Sequence, residues 1–162
     1  MEASELIEVT IQEIRASPNG DHSIVILRAN GDERILPIWI GPFEANAIKM
    51  VLEGTQPDRP MTHDLTIRLL TSLGAQVEQV VVNKIVDNTF YAEVMTTLGE
   101  QQHVVDARPS DALALAVRAG VPIYAARGVV EHASGPDDDA FWMAMAEKVR
   151  QLHAQASPPD AA

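Results

Sequence analysis

Apolar and polar residues alternate over Leu6-Ile7-Glu8-Val9-Thr10-Ile11, the period-two pattern of a half-buried strand. Asn19-Gly20 is a strong turn signal, and His22 to Leu27 reads as the return strand. Asn30-Gly31-Asp32 makes a second turn, and Arg34 to Ile40 a third strand. Pro37 cannot donate to a ladder, which puts that strand at an edge or bulges it. The chain is thus expected to open as a three-stranded meander.

The pattern then changes to a helical period. Gly41-Pro42-Phe43-Glu44 predicts a helix start, with Pro at the first helical position and an acid in the first turn, and Glu53-Gly54 ends it. Thr55 to Met61 is a proline-containing loop. Thr62 is the expected N-cap of a second helix, with Leu65, Leu69 and Leu70 on one apolar face and Gly74 as the stop. Gln76 to Val86 and Thr89 to Thr96 form a hairpin around Asp87-Asn88. His103 to Asp106 is a further strand, Asp111 to Arg118 an Ala/Leu-rich helix closed by Gly120, and Val121 to Ala125 a short strand. Ala133 to Pro136 reads as a linker. Asp137 to Gln155 reads as an amphipathic helix with Phe141, Trp142, Met145, Val149 and Leu152 on one side, fraying from Ala156. Strands and helices mix without a strict βαβ rhythm, so the fold expected is a single α+β domain on a mixed sheet with flanking helices.

Composition narrows the function more than the fold. The 162 residues carry 23 acids against 12 bases, a formal net charge of −11, and the excess is spread along the whole chain. Such a balance repels phosphate backbones at long range and argues against a passive nucleic-acid coat. It leaves room for a local positive site or a bound cation. With no Cys, disulfides and thiolate chemistry are excluded. No apolar run approaches the ~18 residues that span a bilayer. Met1 to Glu5 lacks a basic stretch followed by an apolar run, so a cytoplasmic protein is expected.

No glycine-rich phosphate loop, Gly-x-Ser-x-Gly elbow or His-Glu-x-x-His is present. The candidate chemistry sits at helix starts: Glu44 in the first, His63 and Asp64 in the second, Ser110 and Asp111 in the third. The last two helices are each preceded by Arg-Pro, at Arg59 and Arg108. Acids and hydroxyls in first turns cap free N–H groups, so each residue alone is accounted for without chemistry. Taken together they offer more. Arg59, Arg108 and Ser110 at helix N-termini suit phosphate. Asp64, Asp106 and Asp111 supply hard oxygen ligands for a divalent cation, Mg²⁺, Mn²⁺ or Ca²⁺. His63, with Glu44, Asp64 and Asp111, supplies proton transfer near neutral pH. The remaining histidines, 22, 103, 132 and 153, look isolated. Asp137-Asp138-Asp139 is read as a helix cap, and Arg118 and Arg127 as ordinary ion-pair partners.

Three stretches resemble the bifunctional nuclease family: Ile38 to Ala45, Arg59-Pro60-Met61-Thr62-His63-Asp64-Leu65, and Asp106 to Ala116. The similarity covers about residues 6–132, which sets a nuclease-like domain over 1–132 and a linker, helix and frayed tail over 133–162. The resemblance implies an α+β domain, often paired as a homodimer. It also implies hydrolysis of RNA and DNA without strict sequence preference. The expectation is therefore a cation-assisted, low-specificity nuclease acting on RNA and single-stranded DNA. The alternative is a non-catalytic dimeric module that binds a small anion or a protein partner at the same helix starts.

Overall fold

The computed structural model describes residues 5–17 and 20–156. Asn19 of the expected first turn and the tail beyond Ala156 lie outside them. The strands are β1 (Leu6–Ala16), β2 (Ser23–Ala29), β3 (Leu36–Ile40), β4 (Ala75–Val86), β5 (Thr89–Leu98), β6 (Gln101–Ala107) and β7 (Ile123–Ala126). They form one sheet in the order β3-β2-β1-β7-β4-β5-β6. Every neighbouring pair is antiparallel except β4 with β7, so the sheet is mixed, as expected.

The opening meander is present, with β3 as an edge strand that places Pro37 opposite Ile26. It begins at Leu36 rather than Arg34, because Arg34 is held back by its bonds to Asp32 and Ile35 instead bridges Gly135. Positive φ at Asp87 and Asn88 closes the β4–β5 hairpin, a conformation that Asp and Asn tolerate.

Among the described residues, five helices accompany the sheet: α1 (Pro42–Leu52), α2 (Thr62–Ser72), α3 (Pro109–Ala119), α4 (Arg127–Ala133) and α5 (Asp139–Ala156). Pro42 and Pro109 take the first helical position of α1 and α3, and Gly120 closes α3 in the left-handed conformation. In α3, Ala112 to Ala116 are all buried, because small alanines let the helix lie close against the sheet. That helix sits between α1 and α2 and packs on β4 and β5.

Two expectations for α2 are corrected. Met61, not Thr62, is the N-cap, because the Asp64 carboxylate accepts the Met61 N–H at 2.9 Å and starts the helix one residue earlier. Leu65 and Leu69 are half exposed, while Ile67 and Leu70 touch the core. The short helix α4 also went unforeseen within the stretch between β7 and Ala133.

β2 explains the place of α5. Its apolar run has no alternation because both faces are covered. Val25 and Leu27 join the main core under α1 and α3, while Ile24 and Ile26 join Ile35 in a second cluster with Trp39, Phe141 and Trp142. α5 is seated there by Asp137, which accepts from the Trp142 indole at 2.7 Å and pairs with Arg15, and by Asp138, which caps the Phe141 N–H. The acidic triplet is thus a cap, as expected. A Cβ at Gly135 would overlap the Phe141 ring. Gly135→Ala is therefore expected to cost about 1–3 kcal/mol by overpacking, measured by denaturant unfolding, with α5 loosened first. Among the described residues, no helix is long and apolar enough to cross a membrane.

Candidate functional site

The helix starts converge in part. The N-terminus of α3 lies between those of α1 and α2, so four side chains from three helix starts meet. His63 Nε2 stands 2.9 Å from Asp111 Oδ1, Arg108 Nε donates to Asp111 Oδ2 at 2.8 Å, and Arg108 Nη1 donates to Glu44 Oε1 at 3.2 Å. One carboxylate therefore bridges a histidine and an arginine, and the arginine bridges two carboxylates. Gly41, the N-cap of α1, makes room for this, since a Cβ there would collide with the Glu44 carboxylate.

Electrostatics follow from these contacts. The Arg108 guanidinium beside Asp111 holds its carboxyl below the usual range, and His63 adds to the effect against the pull of burial. An ionised carboxylate only accepts, so His63 donates to it through Nε2–H. Arg108 is the exposed member, with 63% of its side chain accessible, while His63 is largely covered at 16%.

The other candidates lie elsewhere. Both oxygens of Asp64 are committed, one to the Met61 N–H and the other to Arg118 Nε at 2.7 Å. The backbone bond from Met61 is the larger cause of its lowered pKa, with Arg118 adding to it. Asp106 sits exposed on the edge strand β6, opposite Glu93. Ser110 is buried in the first turn of α3, and Arg59 lines a separate cavity. Among the described residues, no three His, Cys, Asp or Glu side chains stand close enough to hold one ion. The expected shared cation at Asp64, Asp106 and Asp111 does not fit this arrangement.

Beside the network runs a cleft of about 530 Å³ with Glu44, Arg108 and Ser110 on one side. Sequence reasoning missed its opposite wall, which α5 builds with Met145, Lys148 and His153. His22 and His153 are not isolated. Their rings lie 4.9 Å apart, and His22 also meets Trp39 edge-on. The amphipathic period of α5 was the available signal, but period alone does not say what a helix covers.

A family model described as the bifunctional nuclease domain matches residues 25–138. The chain belongs to the bifunctional nuclease domain family. An uncharacterized protein of Mycobacterium tuberculosis is 42% identical over 127 residues, covering 78% of this chain and 75% of the relative. Bifunctional nuclease 2 of Oryza sativa subsp. japonica is 28% identical over 110 residues, 66% of this chain and 34% of its own. Bifunctional nuclease 1 of Arabidopsis thaliana is 26% identical over 121 residues, 68% of this chain and 37% of its own. The bifunctional nuclease domain match contains the whole network, from Glu44 to Asp111. It stops at Asp138, one residue before α5 begins, so the far wall of the cleft lies outside the matched segment.

Proposed function

We propose that the protein is a low-specificity nuclease that hydrolyses phosphodiester bonds of RNA and single-stranded DNA at the Arg108–Asp111 network. The observation that carries this reading is the meeting of His63, Asp111, Arg108 and Glu44 beside an open cleft in a bifunctional nuclease domain. Arg108 holds the phosphate by charge-assisted hydrogen bonds. Asp111 fixes the His63 tautomer, and His63 Nδ1 takes a proton from the attacking water. The water oxygen bonds to phosphorus, the bond to the departing sugar oxygen breaks, that oxygen takes a proton from solvent in the open cleft, and His63 returns its own proton to solvent. Glu44 holds Arg108 in place, and Lys148 adds positive charge across the cleft. A divalent cation in the proposal arrives with the substrate phosphate rather than in a cage of the chain's own ligands, and the proton is handled by the chain's own groups.

The competing reading, a non-catalytic module binding an anion or a protein partner, draws on one observation. Every carboxylate of the network is already neutralised inside the protein, as a strut would be. Cleavage of single-stranded RNA and DNA by wild type and Arg108→Ala, with Mg²⁺, Mn²⁺, Ca²⁺ or EDTA, decides between them. The nuclease reading requires a loss of activity in the variant, and the module reading requires none in either protein.

The homodimer belongs to the same proposal. All of β6 except Ala107 is exposed at the sheet edge, including Val104 and Val105. Leu65 and Leu69 on α2 and Leu73 at its C-cap are exposed, and the helix end adjoins the exposed Leu98 at Gly74. An open apolar edge of this kind favours pairing with another chain. Val105→Glu is expected to convert a dimer to a monomer in sedimentation velocity, and an unchanged species would refute the β6 interface.

A further inference from the structure

Arg59, Arg68 and Arg118 share a second cavity of about 580 Å³, between the 54–60 loop, α2 and the end of α3. We propose that this cavity binds a small phosphorylated molecule, whose phosphoryl group is held by Arg59 and Arg68. Among the described residues, Arg15, Arg34, Arg108, Arg118, Arg127 and Arg150 all pair with carboxylates. Arg28, Arg59 and Arg68 make no direct ion pair among the described residues, Arg68 acting on Asp64 only at a distance, and two of those three line this one cavity. In a chain of net charge −11, two guanidinium groups without a directly paired carboxylate on one concavity mark a place for an anion from outside.

The walls support that ligand class. Arg118 is 7% exposed and pinned by Asp64 and the Ala114 carbonyl, so it is a fixed positive element rather than a mobile one. Asp64 has both oxygens engaged, which leaves Asp58 as the cavity's remaining acid. Ile67 and Val117 give an apolar surface beside the cations. A phosphoryl group suits two guanidinium forks, each offering paired donors. The volume lies within the range of small-molecule sites.

The proposal stands independently of the nuclease reading, and binding rather than cleavage tests it. Inorganic phosphate and adenosine monophosphate would each be titrated by calorimetry into wild type, Arg59→Ala/Arg68→Ala and, as a control arginine that lines neither cavity, Arg150→Ala. Both arginines of the double variant are exposed, so an unchanged thermal midpoint is expected and serves as the folding control. Saturable binding of both probes, at least tenfold weaker in the double variant and retained in Arg150→Ala, is the expected result. Equal binding by the double variant, or no saturable binding of either probe to wild type, would overturn it. So would Arg59/Arg68-dependent binding of an oligonucleotide without terminal phosphates when neither small probe binds, since that would assign the arginines to a strand.

Discussion

Asp111→Asn is expected to lower cleavage of single-stranded RNA by about 10²–10⁴-fold, the range lost when a positioned proton acceptor is disabled. The effect is on chemistry rather than fold. In the variant the amide nitrogen meets the guanidinium or the imidazole, so His63 loses the charged acceptor that fixes its tautomer. Arg108 keeps Glu44 but loses its stronger contact. Asp111 is one-third exposed and Arg108 more so, so the lost pairing costs about 1 kcal/mol or less in stability. A folded variant with unchanged cleavage would remove Asp111 from the site.

The largest stability effect is expected at Asp64. Asp64→Ala removes the acceptor of the Met61 N–H, a cap worth ~1 kcal/mol. It also strands the covered Arg118 guanidinium with only the Ala114 carbonyl. Removing one partner of a buried pair costs about 3–5 kcal/mol. Because Asp64 itself is one-quarter exposed, the combined cost is put lower, at about 3 kcal/mol. For a chain of this length that is a drop of roughly 6–12 °C in thermal midpoint. The pH dependence has a definite sign. The folded carboxyl titrates below its unfolded value of ~3.9, so its stabilisation is complete above that pH. It is lost as pH falls through the lowered folded value. The gap between wild type and variant should therefore be constant from pH 5 to 7 and narrow toward pH 3. A gap under ~1 kcal/mol, or one indifferent to acid, would show that the Asp64–Arg118 strut is not structural.

What could be read from the chain followed the reach of each signal. Pro42 and Pro109 with Gly54 and Gly120 mark helix ends, and Asp87-Asn88 marks a hairpin, because these residues act on their own backbone within a turn. The helix α4 escaped because its seven residues follow β7 directly, with Ala126 as an N-cap that makes no side-chain bond. Leu65 and Leu69 were misplaced because α2 offers apolar residues on two sides, and Ile67 and Leu70 take the core.

The site divides in the same way. Glu44, His63, Arg108 and Asp111 were legible as helix-start residues. Their meeting depends on the packing of α3 between α1 and α2, which no local pattern encodes. Asp64 was placed with them by its adjacency to His63, yet its partner is Arg118, 54 residues away. The α5 wall was hidden for a related reason: an amphipathic stripe declares that a face is covered, not that it closes a cleft.

The most direct test of the account is cleavage of single-stranded RNA by wild type and His63→Ala, each purified to constant specific activity and assayed with Mg²⁺ and with EDTA. The account predicts that activity follows the wild-type protein through purification and falls at least 100-fold in a folded His63→Ala. Equal cleavage by the two proteins, or none by either, would contradict a nuclease built on the three helix starts.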